Sequence, residues 1–361
     1  MIVNSQKYEI SILVLLMEHE LEVTITTIET ILESNSDSVK ISVLLNGGRS
    51  LLLKKIFDDH KQIFYYESDV NLGVAGGRNF LLRTNECKSA DIVLIIDNDV
   101  IPPSDYVKNI VTFLLNRDDA GVVGAIVADY TRLNPTDIET FKVKGPFKND
   151  IWVLKSEDIK KLVLERNVPE SYYHLGANPD YYFAYFSAPF VHHRFFADSE
   201  NSTRIYRKRF MKNSLCLLTE LKKGLNYYSV STVAGCSQAF RRSLVDEIGF
   251  LNEWFNPFGF EDVDFCVRSV KSGYKNYITS DVWLLHGTDQ RHENRSNYQL
   301  DYNRYRGYTR LCVSNYKSKI FLLIILRNMF FETLIAVFRN KNIKLLNNIK
   351  PMFQGFNDAL K

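Results

Sequence analysis

Cysteine is scarce and unpatterned in this chain: Cys87, Cys216, Cys236, Cys266 and Cys312 form an odd set with no C-x-x-C spacing. That argues against a zinc knuckle or a disulfide framework and fits reduced thiols in a cytoplasmic protein. Surplus charge is also lacking. A formal net charge of +3 is too small for the basic footprint of a nucleic-acid-binding domain, so no nucleic-acid partner is expected. The polar Met1 to Lys7 stretch leads into a short, strand-like apolar run, not a signal-peptide core with a cleavage site. The one long apolar stretch, Ile320 to Phe338, is interrupted by Arg327, Asn328 and Glu332. Each such charge costs about 2.5 to 3.5 kcal/mol at a bilayer centre, which disfavours a spanning helix. What remains is an ordinary globular composition, 45% apolar and 24% charged, with a 13% aromatic content rich in Tyr and Phe.

The first 125 residues alternate strand and helix signals, as expected of an α/β fold with a mostly parallel central sheet. Strands are predicted at Ile10 to Leu16, Ile41 to Leu45, Ile63 to Tyr66, Ile92 to Ile96 and Val122 to Ile126. Helices are predicted at Glu20 to Leu32, Leu51 to His60, Gly76 to Asn85 and Ser104 to Leu115. Residues 1–128 would form an α/β half, and 129–231 an aromatic-rich insertion in which Tyr172, Tyr173, Tyr181, Tyr182, Tyr185 and neighbouring Phe crowd beside His192 and His193. Residues 232–297 would be a second half, with a strand over Thr232 to Phe240, helices near Arg241 to Ile248 and Asp262 to Ser272, and strands around Tyr277 and Val282 to Leu285. Residues 298–361 would be a helical tail. From Val313 onward the tail carries eight Lys or Arg against two acids, a balance suited to an anionic membrane surface. The tail is therefore expected either to make peripheral membrane contact at the inner face of the plasma membrane or to pack on the main domain.

Several constellations could carry chemistry. The strand Ile92 to Ile96 ends in Asp97-Asn98-Asp99, and alternation along an extended chain lets Asp97 and Asp99 converge on one cation. Such pairs are also common as solvated turns. The run Asn71-Leu72-Gly73-Val74-Ala75-Gly76-Gly77-Arg78-Asn79 reads as a Gly-rich loop opening a helix, where backbone N–H groups and a guanidinium could receive phosphates. A plain tight turn is the alternative. Gly259-Phe260-Glu261-Asp262-Val263-Asp264 places three acids at a helix start, which the helix dipole alone would favour. The flanking Trp254-Phe255-Asn256-Pro257-Phe258 adds an aromatic loop that could close over a ligand, and His286 stands at the end of a later apolar strand.

The order of these pieces, with Gly235-Cys236-Ser237-Gln238-Ala239-Phe240 between them, resembles glycosyltransferase family 2, the GT-A fold, over residues 9 to about 290 with a gap at the insertion. The tail is similar to rhamnosyltransferase-type bacterial members that build surface polysaccharides. The resemblance implies that Asp97 and Asp99 hold a Mn²⁺ or Mg²⁺ ion and the donor diphosphate, with Asn98 between them and His286 as a further metal ligand. It implies Asp262 as the general base of an inverting transfer and Glu261 as its positioning or acceptor-binding neighbour. Gly76, Gly77 and Arg78 match the loop beside the donor. Where members carry an Asp that grips the base, this chain has Asn46. Trp254, Phe258 and Phe260 would shape the acceptor site. The partners expected are a nucleotide-diphosphate sugar and a glycan or lipid-linked acceptor. The Tyr-rich insertion would serve as an acceptor channel or an oligomer interface. A non-catalytic carbohydrate-binding relative and a nucleotidyltransferase are the competing readings.

Overall fold

The computed structural model describes the chain apart from residues 166–226, 288–296 and 316–345, the last with isolated exceptions, and a few short stretches at 4–5, 18–19, 35–38, 131–132, 134, 231 and 361. The aromatic cluster of the insertion and nearly all of the 320–338 segment lie outside the described residues. Among the described residues no helix is long and apolar enough to cross a membrane.

Among the described residues a nine-stranded sheet organises the fold. Its first half comprises β1 (Ile10–Leu16), β2 (Val39–Asn46), β3 (Ile63–Ser68) and β4 (Ile92–Asp97), linked by α1 (Leu21–Ser34), α2 (Leu51–Phe57) and α3 (Gly73–Leu82). These strands run parallel in the order β3-β2-β1-β4. Parallel strands are covered on both faces, which is why Ile92 to Ile96 reads as an unbroken apolar run. Ile92, Leu94 and Ile96 enter one core while Val93 and Ile95 enter the other, all at most 1% exposed. Burying each such side chain contributes about 1.5 to 3 kcal/mol, so the period of two is firmly held.

The second half is mixed. After the two-residue β5 (Val100–Ile101) and α4 (Tyr106–Leu115) come β6 (Ala120–Asp129), β7 (Tyr227–Val230), β8 (Ser237–Arg241) and β9 (Lys275–His286). Here β8 lies antiparallel between β4 and β6, β9 is parallel to β6, and β7 and β5 pair antiparallel with β9. Between β6 and residue 166 the insertion begins with short elements, among them helix α5 (Ser156–Glu165). The two strands predicted around Tyr277 and Val282 to Leu285 are one: β9 runs through Ser280 and Asp281 with a register shift against β6 between Thr279 and Trp283. The strand predicted from Thr232 begins only at Ser237, because the preceding residues serve the site. Helices α6 (Arg242–Ile248), α7 (Glu261–Lys271), α8 (Asn297–Asn315) and α9 (Leu346–Asp358) complete the described chain.

Because β2 and β4 flank β1 on opposite sides, their connections leave in opposite directions. The carboxyl ends of β1 and β4 therefore border a crevice, the place where open α/β sheets bind ligands.

Candidate active site

A cavity of about 610 Å³ opens at these strand ends. Leu15, Asn46, Arg78, Asp97, Asn98 and Asp99 from the parallel half line it, with Pro257 and Phe258 from the aromatic loop and Tyr130 and Gly287 from the far half.

Asp97 is the last residue of β4, and Asp99 follows one turn residue later. The main chain of β5 pairs with β9 so that His286 stands opposite Val100, and Gly287 N donates to Asp99 O at 3.2 Å. That pairing brings the imidazole to the acids: His286 Nε2 lies 3.1 Å from Asp99 Oδ1 and 3.6 Å from Asp97 Oδ2. Ligand atoms of all three residues fall within 4.8 Å of one another. Burial alone would lower the imidazole pKa, but hydrogen bonds and charge from Asp97 and Asp99 outweigh it and raise His286 to about 9. Two carboxylates and an imidazole thus converge on one point, with Asp99 Oδ1 and both imidazole nitrogens buried, as a site for a divalent cation would have them. Two carboxylate oxygens and one imidazole nitrogen are a donor set that fits a divalent cation.

Asn98 points the other way. Its amide donates to Glu20 Oε2 at 3.0 Å and Thr24 Oγ1 at 2.9 Å, while Thr27 Oγ1 donates to the carbonyls of Asn98 and Val100 at 2.9 and 2.8 Å. Helix α1 thereby pins the turn and takes the Asn98 amide, while Asp97 and Asp99 turn toward His286.

Arg78 is 5% exposed and sits between the two acid groups. Its guanidinium donates to Asp97 Oδ1 at 2.9 Å, to Glu261 Oε1 at 3.3 Å and to Gly235 O at 3.2 Å. The sequence offers Arg78 as a phosphate-receiving arginine; the structure places it in the cavity wall with its guanidinium on protein carboxylates. Gly235 answers from the other side, its N–H donating to Asp262 Oδ2 at 3.0 Å. A Cβ there would stand 2.9 Å from that oxygen and 3.2 Å from Arg78 Nη1, so a side chain at this position would displace the Asp262 carboxylate. Asp262 Oδ1 accepts from Val263 N at 2.8 Å, and Glu261 Oε2 accepts from Gly259 N at 2.7 Å. Burial, followed by the neighbouring Asp262, raises the Glu261 carboxyl to about 7. Burial likewise raises Asp262, against the lowering influence of Arg78, although part of its surface stays open. The sequence alone leaves Asp262 an ordinary carboxylate; the crowding of protein around it makes it a stronger base.

Other candidates land elsewhere. Gly76 and Gly77 are not in the loop but inside α3, which begins at Gly73, and neither lines the cavity. A Cβ on Gly77 would come within 2.5 Å of Leu15 Cδ1, so this glycine lets α3 press onto β1. Asn46 reaches the cavity wall, yet its amide is taken: Oδ1 accepts from Leu72 N at 2.8 Å and Nδ2 donates to Gly73 O and Asn71 Oδ1, both at 3.2 Å. It therefore clamps the Gly-rich turn. Phe258 lines the cavity, whereas Trp254 and Phe260 pack against α8. Asn256 is the residue that local reading misses. Its Oδ1 accepts from Ala75 N at 3.2 Å and its Nδ2 donates to Leu72 O at 2.8 Å, capping α3 from 181 residues away.

This architecture is that of the GT-A glycosyltransferases. The mannosyltransferase PcManGT from Pyrobaculum calidifontis, solved in complex with GDP-Man and Mn²⁺, superposes with a TM-score of 0.53 at 13% identity over 99% of this chain and 88% of its own. GalNAc-T7, solved with UDP, GalNAc and Mn²⁺, gives 0.52 at 12% identity over 86% of this chain, which spans 48% of that longer protein. Among curated protein sequences no match reaches significance. Residues 16–166, somewhat less than half of the chain, match the model described as glycosyl transferase family 2. That match covers the segment bearing the Gly-rich turn and the Asp97-Asn98-Asp99 pair.

Proposed function

We propose that this protein moves a sugar from a nucleotide-diphosphate donor to a hydroxyl of a glycan or lipid-linked acceptor, with inversion at the anomeric carbon. One observation carries the reading: buried Arg78 ties Asp97 to Glu261, 164 residues further along the chain, so that the D-x-D acids and the E-D acids share one network at the cavity. Asp97, Asp99 and His286 would hold a divalent cation, Mn²⁺ in preference to Mg²⁺ because of the imidazole. Such an ion, when bound, neutralises charge on the departing diphosphate.

The chain's own residues supply the rest. Asp262, oriented by the N–H groups of Gly235 and Val263, accepts the proton of the acceptor hydroxyl as it attacks. Its raised pKa brings its basicity nearer to neutrality, where general-base catalysis is most effective. Glu261, held by Gly259 N and Arg78, fixes the start of α7 and hence the base. Attack from the face opposite the diphosphate inverts the stereocentre, by the geometry that governs inverting glycosidases. Pro257 and Phe258 shield the cavity mouth. The surplus of basic residues after Val313 supports a role at a membrane surface, in line with surface-polysaccharide assembly on lipid-linked acceptors.

The test is Asp262→Asn. It is expected to bind nucleotide with Mn²⁺ as the wild type does and to transfer about 10² to 10⁴-fold more slowly. Transfer at the wild-type rate would remove Asp262 as the base, and a wild type that binds nucleotide but never turns over a nucleotide sugar would favour a non-catalytic carbohydrate-binding role.

A further inference from the structure

We infer that helix α8 is a working wall of the site, with Arg306 and Gly307 as positioning residues that set the Glu261–Asp262 pair and the aromatic loop. This rests on the transferase reading above and adds residues to it that lie beyond the family-matched segment.

Four contacts support it. Phe260 immediately precedes Glu261 and adopts the left-handed conformation, φ 77°, although it is not glycine. A bulky residue persists there only where its surroundings over-determine it. Gly307 supplies that surrounding: a Cβ at this position would overlap the Phe260 ring, so the absence of a side chain on α8 forms the notch in which the ring sits. One residue earlier, Arg306, itself buried, donates to Asn256 O at 2.7 Å. Asn256 is the residue that caps α3, and the N–H of Val74 on α3 donates to Pro257 O at 2.8 Å. One turn later, Arg310 bonds the Trp254 carbonyl and lies over the Trp254 ring at 5.1 Å. At the end of the helix, Asn315 Nδ2 donates to Asp264 Oδ1 at 2.6 Å on α7. The helix therefore holds the loop on one side of the acids and the helix on the other. Moving it would move the base relative to the donor, and a displacement of about 1 Å is enough to cost about 10²-fold in rate.

A helix that merely closes the fold would make the same contacts, so the experiment must read position as well as stability. Donor hydrolysis without acceptor is followed in the full chain by release of nucleotide from UDP-glucose, UDP-GlcNAc, GDP-mannose and dTDP-rhamnose with Mn²⁺, across pH. Binding of UDP, GDP and dTDP with Mn²⁺ is measured by calorimetry. Gly307→Ala is expected to hydrolyse about tenfold or more slowly, with nucleotide binding unchanged and the acidic limb of the pH–rate profile displaced. Phe260→Gly in the same chain is expected to restore part of the rate, because it removes the overlapping ring and accommodates the positive φ. Arg306→Lys should retain more activity than Arg306→Gln. A folded Gly307→Ala protein with the wild-type rate and pH profile would overturn the inference, whatever its melting temperature. Should Gly307→Ala not fold, Arg306→Gln decides on the same two readouts. A wild type that hydrolyses none of the four donors would sink the transferase reading instead, and nucleotide binding identifies that case.

Discussion

The two acid groups of the site are built in opposite ways. Asp97 and Asp99 leave the end of a central strand whose neighbours on both sides are buried, and the turn between them is fastened by α1 through Thr24 and Thr27. Glu261 and Asp262 open a helix reached through a left-handed residue, and their surroundings come from the Gly235 loop, from Arg78 and from α8. A strand end inherits its precision from the sheet. A loop-borne pair must be given precision by distant residues, so it is the place where the site can be tuned and also where it is most easily spoiled.

This contrast can be broken from its rigid side first. Asp99→Ala is expected to abolish Mn²⁺-dependent nucleotide binding and to lower transfer about 10² to 10³-fold, with little loss of melting temperature; calorimetry with and without Mn²⁺ checks it. Next comes the link between the two groups. Arg78→Met would leave Asp97 and the buried Glu261 without their shared cation and should cost about 3 to 5 kcal/mol in denaturant unfolding. Arg78→Lys would recover only part of that, since one ammonium cannot span Asp97, Glu261 and the Gly235 carbonyl. Gly77→Ala tests the packing of α3 on β1 and should cost about 1 to 3 kcal/mol, because the added methyl meets Leu15.

Stability is also expected to depend on pH through Glu261. Glu261 has a folded-state pKa raised from 4.5 to about 7, so its carboxyl favours the folded chain when protonated. That contribution is fully present below 4.5 and is lost as pH rises through about 7. Glu261→Gln should flatten this part of the melting-temperature profile, and an unchanged slope would show that the group does not titrate there.

Much of the parallel half was legible because each buried strand is a local signal. Ile10 to Leu16 and the run into Asp97 appear in the sequence nearly as they appear in the fold, and alternation already places Asp97 and Asp99 together with Asn98 opposed. His286 could be suspected from its strand end, but only the pairing of β9 with β5 brings it to the acids. Helix α3 starts three residues before the predicted Gly76 because its cap, Asn256, comes from a remote loop. The Gly-rich turn marks Arg78 as a residue near the donor, but its bridge between Asp97 and Glu261 joins segments that only the fold brings together. Nothing in the local pattern of α8 announces Gly307 as a notch, because the ring that fills it belongs to a loop 47 residues earlier.

The sequence by itself determined the strands, the placement of Asp97 and Asp99 at a strand end and the helical start beneath Glu261 and Asp262. These follow from hydrophobic periodicity and from local backbone preference, which act over a few residues. Which side chains answer each other was decided by the tertiary structure alone. Arg78 between its acids, Gly235 beneath Asp262 and α8 against Phe260 are pairings of distant segments, and their energies come from desolvation and close packing that exist only after the sheet has assembled.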